Sequence, residues 1–262
     1  MAALPMPRDD RWAACRFPVL SPPVDQALRA AVRVVLAEVE AVGILAAGSL
    51  VRGTGGPTSD LDLYVLHLGP WKRRLQRRFE GVPTEIFVNH PASARSFLRE
   101  ELASGRPITA HMLSTAFVVL DLDPVVGELR REAAEALAAP PSFDPTMVTY
   151  ARYLAVDALD NARDVHSADP VSSALFVSRA VHGALSAAFL AASRFVPREK
   201  DLVRGALELV PALSRTDLET ALGVTPAPTD RLAAAGRVVE ALCGASTFFA
   251  WDSPPQPAPP GS

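Results

Sequence analysis

The spacing of apolar positions divides the chain into two parts of different character. The first part mixes short apolar or alternating runs, which predict strands, with segments in which apolar residues recur every three or four positions, which predict helices. In the second part only the helical spacing recurs. The predicted strands are 43–47, 61–66, 84–89 and 116–120, and the predicted helices are 24–42, 92–104, 124–137, 144–165, 170–193, 199–209 and 229–248. The pattern predicts an α+β chain, with a mixed-sheet domain followed by an all-α, bundle-like domain.

Proline-rich stretches set the expected domain boundaries. Residues 1–22 carry several prolines and no periodic pattern, which predicts an irregular leader. The mixed-sheet domain is expected over 23–140 and the helical domain over 141–250, because Ala138–Pro141 separates the two patterns. The last segment, 251–262, is rich in proline and is expected to be a disordered tail.

Composition and charge exclude several classes of function. Apolar residues make up 49 % of the 262 residues, which is enough for a substantial core. No run of about 18 residues is apolar without a charge, so no membrane span is expected. The N-terminus lacks the order of a secretory signal, and we expect a cytoplasmic protein. Two cysteines cannot make a disulfide scaffold, and a net charge of −3 argues against bulk nucleic-acid binding.

The most informative residues are two aspartates on one predicted strand. Asp60 and Asp62 are two positions apart, so their side chains project to the same side of the strand. Two carboxylates placed so close repel each other unless a cation lies between them. Mg²⁺ takes oxygen ligands and is usually held by one or two carboxylates together with substrate phosphates. An Asp-Leu-Asp segment alone is also typical of an edge strand with solvated carboxylates, so the neighbouring sequence decides between the two.

That neighbouring sequence favours a metal and phosphate site. A glycine-rich turn follows Gly48 and Ser49, and its backbone N–H groups and the Ser49 hydroxyl are suited to phosphate oxygens. Glu85 lies within the apolar strand 84–89, where a carboxylate needs a partner. If this strand lies beside the aspartates, Glu85 can complete a three-acid cluster as metal ligand, as proton acceptor, or as both.

These residues resemble the signature of the DNA polymerase β-like nucleotidyltransferase superfamily. Gly48-Ser49, a ten-residue spacer, Asp60-Leu61-Asp62 and a third acid on a later strand follow one another as in that family. The resemblance covers residues 24–138 and implies a nucleotidyltransferase domain over 23–140. It implies that ATP or another nucleoside triphosphate binds with Mg²⁺, as two ions, and that a hydroxyl attacks the α-phosphate. The residues implied to bind nucleotide are Gly48, Ser49, Arg52, Ser59 and Lys200; those implied to hold metal and act in catalysis are Asp60, Asp62 and Glu85.

The helical half is similar in layout to small-molecule nucleotidyltransferases of the aminoglycoside-modifying type. Pro197–Lys200 resembles a Pro-x-x-Lys stretch whose lysine approaches the triphosphate, although Asp201 stands where that family commonly has tryptophan. Lys200 is one of only two lysines beside 24 arginines, and the other is Lys72. Coding bias explains the imbalance as a whole. A compact ammonium at Lys200 is nevertheless suited to a triphosphate.

Two further charge patterns leave the acceptor open. Asp157, Asp160 and Asp164 share one helix face and either form a wet surface or hold a cationic acceptor. The basic run 71–78 is either a solvated face or a surface for tRNA. We therefore expect transfer of AMP from ATP to a small hydroxylated acceptor by a monomer or homodimer. The alternatives are nucleotidylation of a protein or tRNA, and a non-catalytic, antitoxin-like or regulatory protein with this fold.

Overall fold

The structure, a computed structural model, describes residues 10–224 and 230–251. It divides into two compact units, with the boundary between Ala139 and Pro140. The first unit contains a mixed sheet with helices on both faces, and the second is helical. The prediction of an α+β chain with a mixed sheet followed by a helical region is therefore confirmed.

Five strands form the sheet of the first unit. They are β1 (Ala41–Ala47), β2 (Leu61–His67), β3 (Arg73–Phe79), β4 (Val82–Asn89) and β5 (Phe117–Asp121). The strand order is β3-β4-β2-β1-β5. The β2–β4 pair is parallel, and the other three pairs are antiparallel. This order puts β2 and β4, which carry the predicted acids, side by side.

The helices of the first unit are α1 (Asp10–Ala14), α2 (Pro22–Glu38), α3 (Gly48–Val51), α4 (Pro91–Ala103), α5 (Ile108–Thr115) and α6 (Val125–Ala138). The apolar stripe of α2 packs on one sheet face, in a core shared with Leu63 and Ile86. Helices α4, α5 and α6 cover the other face, in a core that includes Tyr64 and Leu66. Alternation along β2 supplies one set of side chains to each core.

The second unit contains α7 (Pro145–Val165), α8 (Pro170–Ala191), α9 (Glu199–Leu209), α10 (Arg215–Ala221) and α11 (Arg231–Cys243). Their apolar faces meet in a separate core. Asp169 begins α8 by accepting hydrogen bonds from two backbone N–H groups of the first turn, at 3.0 and 3.1 Å. Within the described ranges, α8 alone is long and apolar enough to cross a membrane. Half of its apolar stretch is buried inside the protein.

The structure corrects several expected element boundaries. Helix α2 ends at Glu38 rather than near Val42, because β1 already begins at Ala41. Helix α11 ends at Cys243, where Gly244 takes a left-handed conformation with φ of 79°. The segments that form β3, α5 and α10 were not predicted as elements. The predicted start of the last helix at 229 and the predicted tail from 252 to 262 lie outside the described residues.

The expectation of an irregular leader over 1–22 is wrong for part of that range. Residues Asp10–Ala14 form α1, and α2 begins at Pro22. The segment is held by contacts that its sequence spacing does not reveal. The Arg11 guanidinium donates to the Leu36 and Val39 carbonyls, and the Trp12 ring lies 4.7 Å from the Arg33 guanidinium carbon.

Candidate metal centre

The three predicted acids meet at one end of the β2–β4 pair. Asp62 and Glu85 are direct partners in the parallel register, and Asp60 precedes Asp62 by two positions. One carboxylate oxygen from each residue lies within 4.8 Å of those of the other two. Asp62 and Glu85 are half-buried. The spacing suits oxygen ligands that share a hard divalent cation.

The electrostatics of Asp62 show that the cluster is short of positive charge. Burial, and after it the neighbouring carboxylates of Asp60 and Glu85, together raise the pKa of Asp62 to about 6. The guanidinium groups of Arg52 and Arg74 act in the opposite direction without cancelling the effect. A divalent cation among the three acids would remove this repulsion, so the donor set fits a hard metal ion.

Gly48 allows the end of β1 to approach Asp62 closely. Ala47, the last residue of β1, pairs with Asp62 in the antiparallel register. Gly48 follows with φ of +87°, and a Cβ there would lie inside the contact distance of Asp62 Oδ2. Only glycine meets both demands without strain. The backbone turn that carries Ser49 therefore begins directly beside the acids.

Hydrogen bonds within residues 49–59 close the turn that begins with α3. The Thr54 N–H donates to the Ser49 carbonyl at 2.9 Å, and the Gly56 N–H donates to Ser59 Oγ at 2.9 Å. Ser59 thus closes the turn in this structure. Arg52 is exposed at the end of α3. Its charge acts on Asp62 through space.

Two residues that the sequence analysis missed contact Glu85 from β3. Arg74 Nη2 donates to Glu85 Oε2 at 2.6 Å, and Gln76 Nε2 donates to Glu85 Oε1. Gln76 is the direct partner of Glu85 in the β3–β4 register. A usable signal was present in the sequence, since Glu80-Gly81 between Phe79 and Val82 is the two-residue turn of a hairpin. Both turn residues have positive φ, 47° and 82°, as a type I′ turn requires.

An open cleft of about 280 Å³ borders the acids on the β3 side. Its walls come from the ends of β3 and β4 and from the residue before β2. They are Asp60, Gln76, Arg77, Arg78, Pro83, Thr84 and Glu85. The cleft gives a small molecule access to two of the three carboxylates.

The basic run is used largely inside the first unit. Arg73 and Arg77 both contact the Glu38 carboxylate of α2, at 3.4 and 2.8 Å. Arg78 donates to the Gly81 carbonyl at 3.0 Å, and Lys72 Nζ lies 4.9 Å from the Phe97 ring centroid. The alternative that the run forms a surface for tRNA stays a prediction.

The candidate residues of the second unit have other surroundings. Lys200 is exposed in the first turn of α9. Asp160 accepts from Arg163 Nη1 at 2.7 Å and from the Phe248 N–H at 3.0 Å, so both of its oxygens are engaged. Asp157 is exposed and accepts from Asn161 Nδ2 at 3.1 Å. Asp160 therefore fixes the segment after α11, which weakens its expected role toward an acceptor.

The comparisons with known proteins give little beyond a general likeness. No protein-family model and no curated protein matches the chain. One similar solved structure is that of a nucleotidyltransferase-like protein from Exiguobacterium sibiricum 255-15. The identity is 14 %, the match covers 84 % of this chain and 74 % of that chain, and the TM-score is 0.48. A likeness of this size supports no inference about activity, so function must be argued from the site.

Proposed function

We propose that the protein is a metal-dependent nucleotidyltransferase that moves AMP from ATP to a hydroxyl group of a small molecule. The observation that carries the proposal is the convergence of Asp60, Asp62 and Glu85 on one point beside the turn at Gly48. Three carboxylates within this distance repel one another, so placing them together costs free energy unless the site serves a metal.

The three acids would hold Mg²⁺, as one or two ions. Bound there, Mg²⁺ supplies charge neutralisation and polarisation at the phosphate oxygens of the nucleotide. The residues themselves do the positioning. Gly48 lets the backbone approach a ligand held at Asp62, and Ser49 offers a hydroxyl and a backbone N–H to a phosphate oxygen. Arg52 adds a cation at the exposed side of the turn.

The reaction that suits these groups is an in-line displacement at the α-phosphate. The acceptor oxygen forms a bond to the α-phosphorus, the bond from that phosphorus to the bridging β-phosphate oxygen breaks, and pyrophosphate leaves. The hydroxyl proton passes to a carboxylate or to water. Most of the rate enhancement would come from positioning and charge stabilisation.

Calorimetry with MgATP tests the proposal directly. We expect wild-type protein to bind ATP only when Mg²⁺ or Mn²⁺ is present, and the Asp60→Asn/Asp62→Asn variant to lose this metal-dependent binding. Asp121→Asn is the matched control, because that aspartate is exposed at the end of β5, outside the three-acid cluster. The proposal is overturned if ATP fails to bind, or if the double variant and the control bind it equally.

Labelled ATP separates the possible acceptors. Incubation of the protein with [α-³²P]ATP and a cell extract should label material of low mass, and mass spectrometry then identifies the nucleotidylated compound. Label in protein or tRNA would support the macromolecular alternative instead. Retention of biological activity by the double aspartate variant would favour a non-catalytic, regulatory protein.

A further inference from the structure

Alternate residues of the edge strand β3 lie on opposite sides of the sheet. One set lies on the side of the metal centre, and the other lies on the side of helix α2. Leu75 is buried in the core beneath the sheet, and Arg73 and Arg77 on the same side bind Glu38. The alternate residues, Arg74 and Gln76, lie on the side of the acids and bind Glu85. The strand period of two thus separates a structural set from a set at the site.

The contacts fix both oxygens of the third carboxylate. Gln76 donates to Oε1 from directly across the β3–β4 register, and Arg74 donates to Oε2 from the diagonal position. The Arg74 guanidinium carbon also lies 4.8 Å from the Phe87 ring centroid, which limits where the side chain can go. A glutamate has three rotatable side-chain bonds, so two donors from a neighbouring strand restrict it strongly.

We propose that Arg74 and Gln76 are a positioning pair for Glu85 in which Gln76 sets the direction of the carboxylate and Arg74 is the counter-ion with which the metal must compete. The inference rests on the proposed function, since it assigns a metal to the three acids. Each carboxylate oxygen accepts more than one contact, so Glu85 can keep its Gln76 bond while it serves as a ligand.

The two donors should affect metal binding in opposite directions. Removing Arg74 takes one positive charge from beside the cation site, and at separations of several ångströms near a protein surface this should tighten divalent binding about three- to tenfold. Removing the Gln76 amide changes no charge and frees the Glu85 carboxylate to rotate, so metal binding should weaken by about a similar factor. If Arg74 and Gln76 served stability alone, their removal would not change metal affinity in opposite directions.

Titration with Mn²⁺, followed by the electron paramagnetic resonance signal of free Mn²⁺, measures the metal affinity of each variant and needs no knowledge of the acceptor. We expect Arg74→Met to bind Mn²⁺ more tightly than wild type, Gln76→Leu more weakly, and Arg74→Lys, which keeps the charge, close to wild type. Arg73→Met is the matched control, because Arg73 is on the same strand with similar exposure, 51 % against 56 %, and contacts Glu38 instead. We expect it to bind Mn²⁺ as wild type does.

The outcomes separate the inference from the function on which it rests. Wild-type protein that binds no Mn²⁺, with Asp62→Asn indistinguishable from it, would overturn the metal site and the proposed function together. Wild-type binding that is lost in Asp62→Asn but equal in the Arg74, Gln76 and Arg73 variants would overturn only the positioning pair. Circular dichroism and thermal unfolding of each variant identify any change in affinity that comes from misfolding.

Discussion

At the scale of single residues, the environment of Asp62 is unfavourable to its charge. Its pKa is raised to about 6, first by burial and then by Asp60 and Glu85. The folded chain therefore binds a proton at Asp62 more readily than the unfolded chain does. The resulting stability is fully present below about pH 4, the ordinary range of an aspartate, and is lost as the pH rises through 6.

We expect Asp62→Asn to unfold at a higher temperature than wild type at pH 8 in metal-free buffer. The gain should be about 1–2 kcal/mol after allowance for solvent screening, and it should disappear at about pH 3.5, below the ordinary pKa of an aspartate, where Asp62 is largely protonated in both the folded and the unfolded chain. Differential scanning calorimetry at the two pH values measures it. A difference that is the same at both pH values would contradict the argument, and Mg²⁺ should stabilise only the wild type.

Gly48 carries a second prediction at this scale. Gly48→Ala places a methyl group against Asp62 Oδ2 and also suffers the strain of a positive φ. Gly53→Ala is a matched control, because its φ is +74° and a Cβ there meets no atom within 4 Å. Both variants should lose about 1 kcal/mol of stability from the backbone conformation. Only Gly48→Ala should also lose Mn²⁺ binding, and equal binding by the two variants would show that the close approach is unimportant.

At the scale of elements, β3 connects α2 to the metal centre. Glu38, the last residue of α2, forms ion pairs with Arg73 and Arg77. The hydrogen bond from Arg77 holds the pKa of Glu38 below its ordinary value. This contribution to stability is present above pH 4.5 and is lost as the pH falls through the lowered pKa. The pairs are half-exposed, so their effect is modest.

We expect Glu38→Gln to lower the free energy of unfolding in urea by about 0.5–1 kcal/mol at pH 7. Mn²⁺ affinity should be unchanged, because Glu38 binds the arginines on the other side of the strand. Glu135→Gln is the control, since its contact with Arg131 is 4.0 Å long and both side chains are largely exposed. A change in Mn²⁺ affinity for Glu38→Gln would mean that the two sides of β3 are coupled.

The predicted strands have a local sequence pattern that identifies a strand, and the missed strand β3 does not. β1, β2 and β4 contain apolar or alternating runs bounded by glycine, proline or polar residues, and this local pattern identifies them. β3 reads RRLQRRF, in which Leu75 alone is buried. On the side that faces α2, Leu75 is flanked by arginines that bind Glu38. This contact joins residues far apart in the sequence, so no local pattern predicts it. Asp60 and Asp62 were predicted from their spacing and Glu85 from its place in an apolar strand, whereas Arg74 and Gln76 required the β3–β4 register.

At the scale of the whole molecule, each unit contains its own core, and the three acids belong to the first unit alone. A contribution of the second unit to nucleotide binding stays a prediction, and it concerns Lys200. We expect Lys200→Ala to weaken MgATP binding about tenfold, because an ammonium group beside a triphosphate is a strong charge partner.

Lys72→Ala is the comparison for that measurement. Lys72 contacts the Phe97 ring, and arginine would serve equally well there. Isothermal titration with MgATP should show a loss for Lys200→Ala and little change for Lys72→Ala. If the two variants bind alike, the scarcity of lysine in this chain reflects coding bias alone.

The two borders of the sheet are protected from adding a strand of another molecule in different ways. An open border presents unpaired backbone N–H and C=O groups, which can template aggregation. On β5, the Arg16 N–H already donates to the Val119 carbonyl at 2.8 Å, so the chain's own N-terminal segment occupies that border. On β3, four arginines within seven residues would face the same four in a second copy. The sequence that brings a counter-ion to Glu85 thus also makes self-assembly along this border electrostatically unfavourable.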